Sequence, residues 1–259
     1  MQESIWPANC PEKLYDICIE YCALNLDKTL CCESADGQLL LKSEVFLPPN
    51  VCDALLSRLQ PVSRKHLSLL ASPTSINFQH VHVKSISDLT DAELRNLLVH
   101  HPTDLRISSQ EVTEDSLELI SSQSHSLRML ELNKCENIFS RRCPSKKYPW
   151  KIKFRKDTTK RVLHFRCPKL RYIALRGLEC DPGENLCRIL SDLALLTRLD
   201  LSDCSINFQH LRSALSQLQQ LQILSLYSVA LPSLRDAFEA VAQVKSLRSV
   251  LEAILLFCY

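Results

Sequence analysis

Glycine is nearly absent from this chain. Only Gly37, Gly177 and Gly183 occur in 259 residues, against a usual share of ~7%. Loops that cradle phosphate need clustered glycines so that the backbone can approach the ligand. A Rossmann fingerprint and a P-loop are therefore excluded. The opening Met1-Gln2-Glu3-Ser4 lacks the basic and apolar regions of a signal peptide. No apolar run reaches the ~18 residues of a membrane span, because the apolar C-terminal tail is short and contains Glu252. No Cys-x-x-Cys pair occurs. His80/His82 and His100/His101 lack the third and fourth ligands of a zinc site, so neither metal nor other cofactor is expected. No catalytic family signature surrounds any cysteine, and enzymatic activity is not expected either.

What is abundant is leucine, at 47 residues, and cysteine, at 13. An odd cysteine number without a secretory leader points to reduced thiols and to the cytoplasm or nucleus. Free cysteine is a small, readily buried hydrophobe, so most of these thiols read as core filling. The chain is 46% hydrophobic and 23% charged, with a net charge of +2, which is the composition of a folded protein with a sizeable core.

The leucines repeat. A leucine-rich repeat puts apolar side chains at the first, fourth and sixth positions of a short strand, often with Asn or Cys at the ninth. Four segments fit: Leu127, Leu130, Leu132, Cys135; Leu170, Ile173, Leu175, Leu178; Leu196, Leu199, Leu201, Cys204; and Leu221, Leu224, Leu226, Val229. Leu105, Ile107, Gln110 is a looser copy, and Phe78, Val81, Val83, Ile86 a degenerate one. First positions fall at 78, 102, 127, 170, 196 and 221, a period of roughly 25 broken by one step about 18 residues too long. Between strands, Asp115–Ile120 and Leu211–Leu218 space apolar residues by three and four, as a helix does. Neither layer buries its apolar face alone, so the units must stack with parallel strands and helices outside. Tight units of this kind need few left-handed turns, which accounts for the scarcity of glycine. A seventh copy starts at Leu247 and Val250 and breaks at Glu252. Its apolar tail is the opposite of a polar capping repeat, as expected of a truncated or alternatively ended form.

The first 70 residues do not repeat. Pro11 and Glu12 suit a helix start. Leu14, Cys18 and Cys22 follow four apart, with Ile17 and Tyr21 beside them on one face. Asp27 to Leu41, with Asp36-Gly37 inside it, reads as a hairpin-like connector. Phe46-Leu47-Pro48-Pro49 precedes a second amphipathic helix carrying Val51, Leu55 and Leu59.

Leu14-xxx-Cys18-xxx-Cys22 resembles the BC-box, the helix by which substrate receptors dock on elongin C. Leu47-Pro48-xx-Val51-xxx-Leu55 resembles the cullin-2 box, and together the two look like a VHL-type box. An F-box is the close rival, since Leu47-Pro48 before an apolar helix also opens that motif. The runs Leu14–Cys18, Asn25–Leu30, Phe46–Pro48, Val51–Asp53, Ser124–Leu127 and Cys135–Phe139 are similar to the Zyg-11/Zer-1 family, over about residues 10–250. That resemblance implies a non-catalytic substrate receptor of a cullin-2 RING ubiquitin ligase. Leu14, Ile17, Cys18, Tyr21 and Cys22 would face elongin C, itself paired with elongin B. Leu47, Pro48, Val51 and Leu55 would face cullin-2. The family's C-terminal armadillo-like array, which reads N-terminal glycine degrons, is not expected within these 259 residues.

The long step holds a basic segment. Arg141, Arg142, Lys146, Lys147, Lys151, Lys153, Arg155, Lys156, Lys160, Arg161 and Arg166 meet one acid, Asp157. The remainder of the chain is then net acidic. A solvated insertion is the plain reading. An acidic protein partner ranks next, and nucleic acid, for which Tyr148, Trp150 and Phe154 would supply stacking, ranks last. The expected architecture is α/β: a helical VHL-type box at 1–70, then a leucine-rich repeat solenoid at 71–259 with the basic insertion at 140–166. The alternative role is a free-standing leucine-rich repeat interaction module using that insertion. No membrane partner is expected.

Overall fold

The computed structural model describes residues 11–33, 39–42, 45–59, 66, 76–83, 89–109, 112–134, 138, 165–178, 184–229 and 234–251. It is mixed α/β. The chain opens with α1 (Pro11–Leu24), α2 (Leu26–Thr29), β1 (Cys31–Glu33), β2 (Leu39–Leu41) and α3 (Pro49–Arg58). Strands and helices then alternate: β3 (His80–Val83), α4 (Asp91–Leu98), β4 (Asp104–Ser108), α5 (Glu114–Gln123), β5 (Met129–Asn133), β6 (Tyr172–Leu175), α6 (Glu184–Ser191), β7 (Arg198–Asp200), α7 (Phe208–Leu215), β8 (Ile223–Ser225), α8 (Leu234–Ala242) and β9 (Ser249–Leu251).

β1 and β2 pair antiparallel, so the connector holds the expected hairpin strands. β3 to β9 form one parallel sheet in strict chain order. The register follows the leucine spacing: Val81 pairs with Leu105, Leu105 with Leu130, Leu130 with Ile173, Ile173 with Leu199, Leu199 with Leu224, and Leu224 with Val250. Leu130 and Ile173 flank the long step, yet their strands bond directly. β5 and β6 are therefore neighbours in the sheet despite the long step in sequence. The basic segment's residues from Arg141 to Arg161 lie outside the described region, as do Cys135, Ile86, Gln110 and Glu252.

Alternation decides the layers, since successive strand side chains point to opposite faces. Leu105, Leu127, Leu130, Leu132, Leu170, Ile173, Leu175, Leu221 and Leu224 are all fully buried. They join Leu117 and Ile120 of α5, Ile189 of α6 and Leu211 of α7 in a single core. That core continues without a break into Ile19, Ala23, Leu26, Cys52, Leu55 and Leu56 of the first 59 residues. Helix starts are fixed locally. Thr90 caps α4 in a box with Glu93, and Thr113 caps α5 in a box with Ser116. Ser116 Oγ also donates to Asp91 Oδ1 at 3.0 Å, tying the two helices together.

The explanation of scarce glycine by scarce left-handed turns fails. Lys134, Gly177, Asp203 and Ser228 have φ of 59°, 75°, 58° and 58°. They occupy equivalent positions just beyond β5, β6, β7 and β8, so the turn recurs after four successive strands. Only one of the four is glycine. A residue with a Cβ in this region costs ~1 kcal/mol or more, which the surrounding ladder overrides. Gly177 N–H donates to Ser202 O at 3.2 Å, and Asp203 N–H to Tyr227 O at 2.8 Å, so the backbone there is already committed to its neighbour.

Among the described residues the cysteines are unpaired thiols. Burial pushes Cys31 up to about 11 and Cys167 and Cys204 up to about 12, which keeps them protonated and unreactive. Cys204 Sγ donates to Leu175 O at 2.9 Å.

Urea unfolding tests the turn. Ser228→Gly should raise stability by ~0.5–1 kcal/mol, and Gly177→Ala should lower it by ~1–2 kcal/mol, with the denaturant slope unchanged in both. No gain from Ser228→Gly together with no loss from Gly177→Ala would mean that the turn does not carry this strain.

Candidate functional site

Helix α1 has two apolar faces and the fold covers only one. Ile19 and Ala23, four apart, are buried against the body of the protein. Leu14, Ile17, Tyr21 and Leu24 are 65%, 62%, 60% and 79% exposed. Cys18 is exposed beside them, while Cys22 is half-buried and packs against the core. The predicted face is therefore split. Leu14, Ile17, Cys18 and Tyr21 form a solvent-facing apolar stripe, Leu24 extends it by a turn, and Cys22 marks its buried edge. Monomeric surfaces rarely leave such a stripe without a use. Sequence spacing alone missed Leu24, although the step from Tyr21 is the helical i, i+3.

The second segment divides differently. Pro48 is exposed at the N-cap of α3, and Phe46 just before it is 75% exposed. Leu47 and Val51 are half-buried and pack against the core. Leu55 is 4% exposed and, with Leu47, Cys52, Leu59 and Phe78, lines a small apolar pocket inside the protein. This corrects the expectation that Leu55 faces a partner. It lies one turn from Val51 on the face that α3 turns toward the sheet, so it supports the segment from below. The outward surface here is Phe46 and Pro48.

Asp53 locks this segment to the sheet. Its Oδ1 accepts from Gln79 N–H and His80 N–H, both at 3.1 Å, and its Oδ2 lies 2.8 Å from His80 Nδ1. His80 Nε2 lies 3.5 Å from Asp104 Oδ2 on the next strand. The imidazole thus bridges α3, β3 and β4. No sequence pattern announced this joint. At the other end of α3, Arg58 pairs with Asp16 of α1 at 2.9 Å, but both are exposed and contribute little.

The sheet face away from the helices carries a second organised cluster. Arg176 reaches Asp200 Oδ2 at 2.8 Å from Nε and 2.6 Å from Nη2, and Glu131 Oε1 at 3.0 Å from Nη1. Asp200 Oδ1 accepts from Ser202 N–H at 3.0 Å and Ser202 Oγ at 2.6 Å. Burial alone would raise the Asp200 carboxyl, but the bonds from Arg176 and Ser202 and the Arg176 charge outweigh it and hold it below the usual carboxylate range. Arg176 faces both carboxylates, and Arg106, with its Nε 3.9 Å from Glu131 Oε2, supplies the second positive charge. Among the described residues no group of three or more His, Cys, Asp or Glu could hold a metal ion, and no helix there is long and apolar enough to cross a membrane.

No family model matches the chain. It is 29% identical to protein zer-1 homolog of Mus musculus over 143 residues, covering 51% of this chain and 18% of that protein. The counterparts of Pongo abelii and Homo sapiens are each 28% identical over the same length. These matches support a Zyg-11/Zer-1 family relationship. The chain spans less than a fifth of the length of these relatives, given the 18% coverage.

Two measurements test the structural joints. Asp53→Ala leaves two backbone donors and an imidazole without their acceptor, and should lower stability by ~2–3 kcal/mol in urea unfolding. A loss under 0.5 kcal/mol would show that the joint carries no weight. For Asp200 the native carboxyl is depressed, so its contribution is full above the unfolded value of ~3.9 and is lost as pH falls through the native one. Asp200→Asn should therefore flatten the stability decline below about pH 4 relative to the parent chain.

Proposed function

We propose that this chain is a non-catalytic substrate-receptor-type subunit of a cullin-2 RING ubiquitin ligase. The carrying observation is the exposed stripe Leu14, Ile17, Cys18, Tyr21 on a helix whose other face is anchored in the core. A docking helix needs this arrangement. One face fixes its orientation, and the other offers a leucine anchor with a small residue four positions on, letting the partner approach closely. In this reading elongin C, with elongin B, takes the stripe. Cullin-2 meets the Phe46–Pro48 surface with the exposed parts of Leu47 and Val51. Residues 1–70 form the docking module and residues 71–259 a leucine-rich repeat solenoid. That assignment is supported by buried leucines in constant register along the parallel sheet. The open sheet face then receives the protein to be ubiquitinated, in the cytoplasm or nucleus. The family relationship supports the receptor role.

Co-purification with elongin B/C tests the reading. Burying a leucine-sized anchor contributes about 1.5–3 kcal/mol, so Leu14→Ala with Cys18→Ala should reduce elongin C capture by more than about 10-fold. Both residues are exposed, so the fold should survive, as an unchanged thermal melt would confirm. Equal recovery of elongin C by parent and variant would sink the adaptor reading and leave a free-standing interaction module.

A further inference from the structure

The amino-terminal ends of β5, β6 and β7 carry a cationic rim that the docking helix does not use. Arg171 N–H donates to Arg128 O at 2.8 Å. These residues directly precede the paired Met129 and Tyr172, so they hold equivalent places on adjacent strands, ~4.8 Å apart along the hydrogen bonds. Lys169 and Arg166 lie in the turn leading into β6, and Arg198, paired with Tyr172, opens β7. All five side chains are exposed. Among the described residues, Arg128, Arg166, Lys169 and Arg171 have no carboxylate partner. Nearby Arg106 and Arg176 differ, since each lies within 4 Å of an acid: Arg106 is 3.9 Å from Glu131, and Arg176 is 2.6 Å from Asp200. Cations left together in this way raise the local positive potential. Phe165 and Cys167 are buried and Arg166 N–H donates to Ser121 Oγ at 2.6 Å, which holds the turn that carries Arg166 and Lys169 firmly against α5.

We propose that this rim is a docking surface for a short acidic segment of a partner protein. Four of the five cations are arginine, whose planar fork pairs carboxylates in two-point contacts. Nucleic acid fits less well. Base stacking needs an open aromatic face, and the rim's aromatic ring, Tyr172, is covered by Arg198 at 5.1 Å while its hydroxyl lies 3.4 Å from Arg176. This surface lies apart from α1, so the proposal goes beyond the ligase reading and stands or falls without it.

Fluorescence anisotropy with the full chain tests it. The probes are a short labelled peptide of alternating Glu and Ser, its Gln-for-Glu counterpart, and a single-stranded oligonucleotide of equal charge. Arg128→Glu with Arg171→Glu should weaken the acidic peptide by at least about 10-fold, and Arg128→Gln with Arg171→Gln should weaken it less. The Gln pair keeps the test valid if the Glu pair fails to fold. Lys245→Glu with Arg248→Glu, exposed cations two strands beyond β7, makes the same change in net charge and should leave binding within about twofold. The Gln-for-Glu peptide should not bind. Equal losses from the rim and distal pairs would reduce the effect to net charge and overturn the proposal. So would absent peptide binding, or tighter binding of the oligonucleotide than of the peptide.

Discussion

Everything in this fold depends on one constraint: a thin parallel sheet and a row of short helices must share a single apolar seam. Each strand has only three to five residues, too few to be stable alone. Each helix is roughly two or three turns, also marginal in isolation. They persist because Leu105, Leu130, Ile173, Leu199 and Leu224 line up across the hydrogen-bonded strands and meet the helical leucines behind. A register slip of one residue would turn this whole row to solvent. The leucine spacing is therefore what holds the register, even across the 43-residue gap between Leu130 and Ile173.

The seam also governs what is left over for function. Because Ile19, Ala23, Cys52 and Leu55 extend the same core into the N-terminal segment, α1 is held by one face and displays the other. The display is a consequence of packing, since a free helix would have no reason to keep Leu14, Ile17 and Tyr21 in water. Asp53 and His80 add a polar joint at the same boundary, so the outward helix and the sheet are held in one orientation. The Arg176 cluster does the corresponding work on the open face. It pairs Glu131 and Asp200, which lie 14% and 11% exposed and would be unfavourable there unpaired.

Strands, helices and their order were legible in advance wherever periodicity carried them. The copies at 127, 170, 196 and 221 became β5 to β8, and the degenerate one at 78 became β3. The Pro48-led helix and the hairpin strands also followed from local signals. What escaped was directional or long-range. Leu55 has the same spacing as an exposed docking residue, and only the neighbouring sheet turns it inward. Left-handed backbone at Lys134, Asp203 and Ser228 carries no glycine mark, so composition pointed the wrong way. Asp53 is one of many acids until its carboxylate is seen against Gln79 and His80, 26 and 27 residues along.

The amino-acid order by itself determined the repeat, its period, the interruption after β5 and the apolar character of the first helix, because these are patterns between residues close in sequence. Tertiary structure decided which of two apolar faces of α1 is spent on the core, which boxed residues remain on the surface, and which cations find an acid. Those outcomes depend on groups brought together from distant parts of the chain, where burial and charge are set by neighbours that no local spacing encodes.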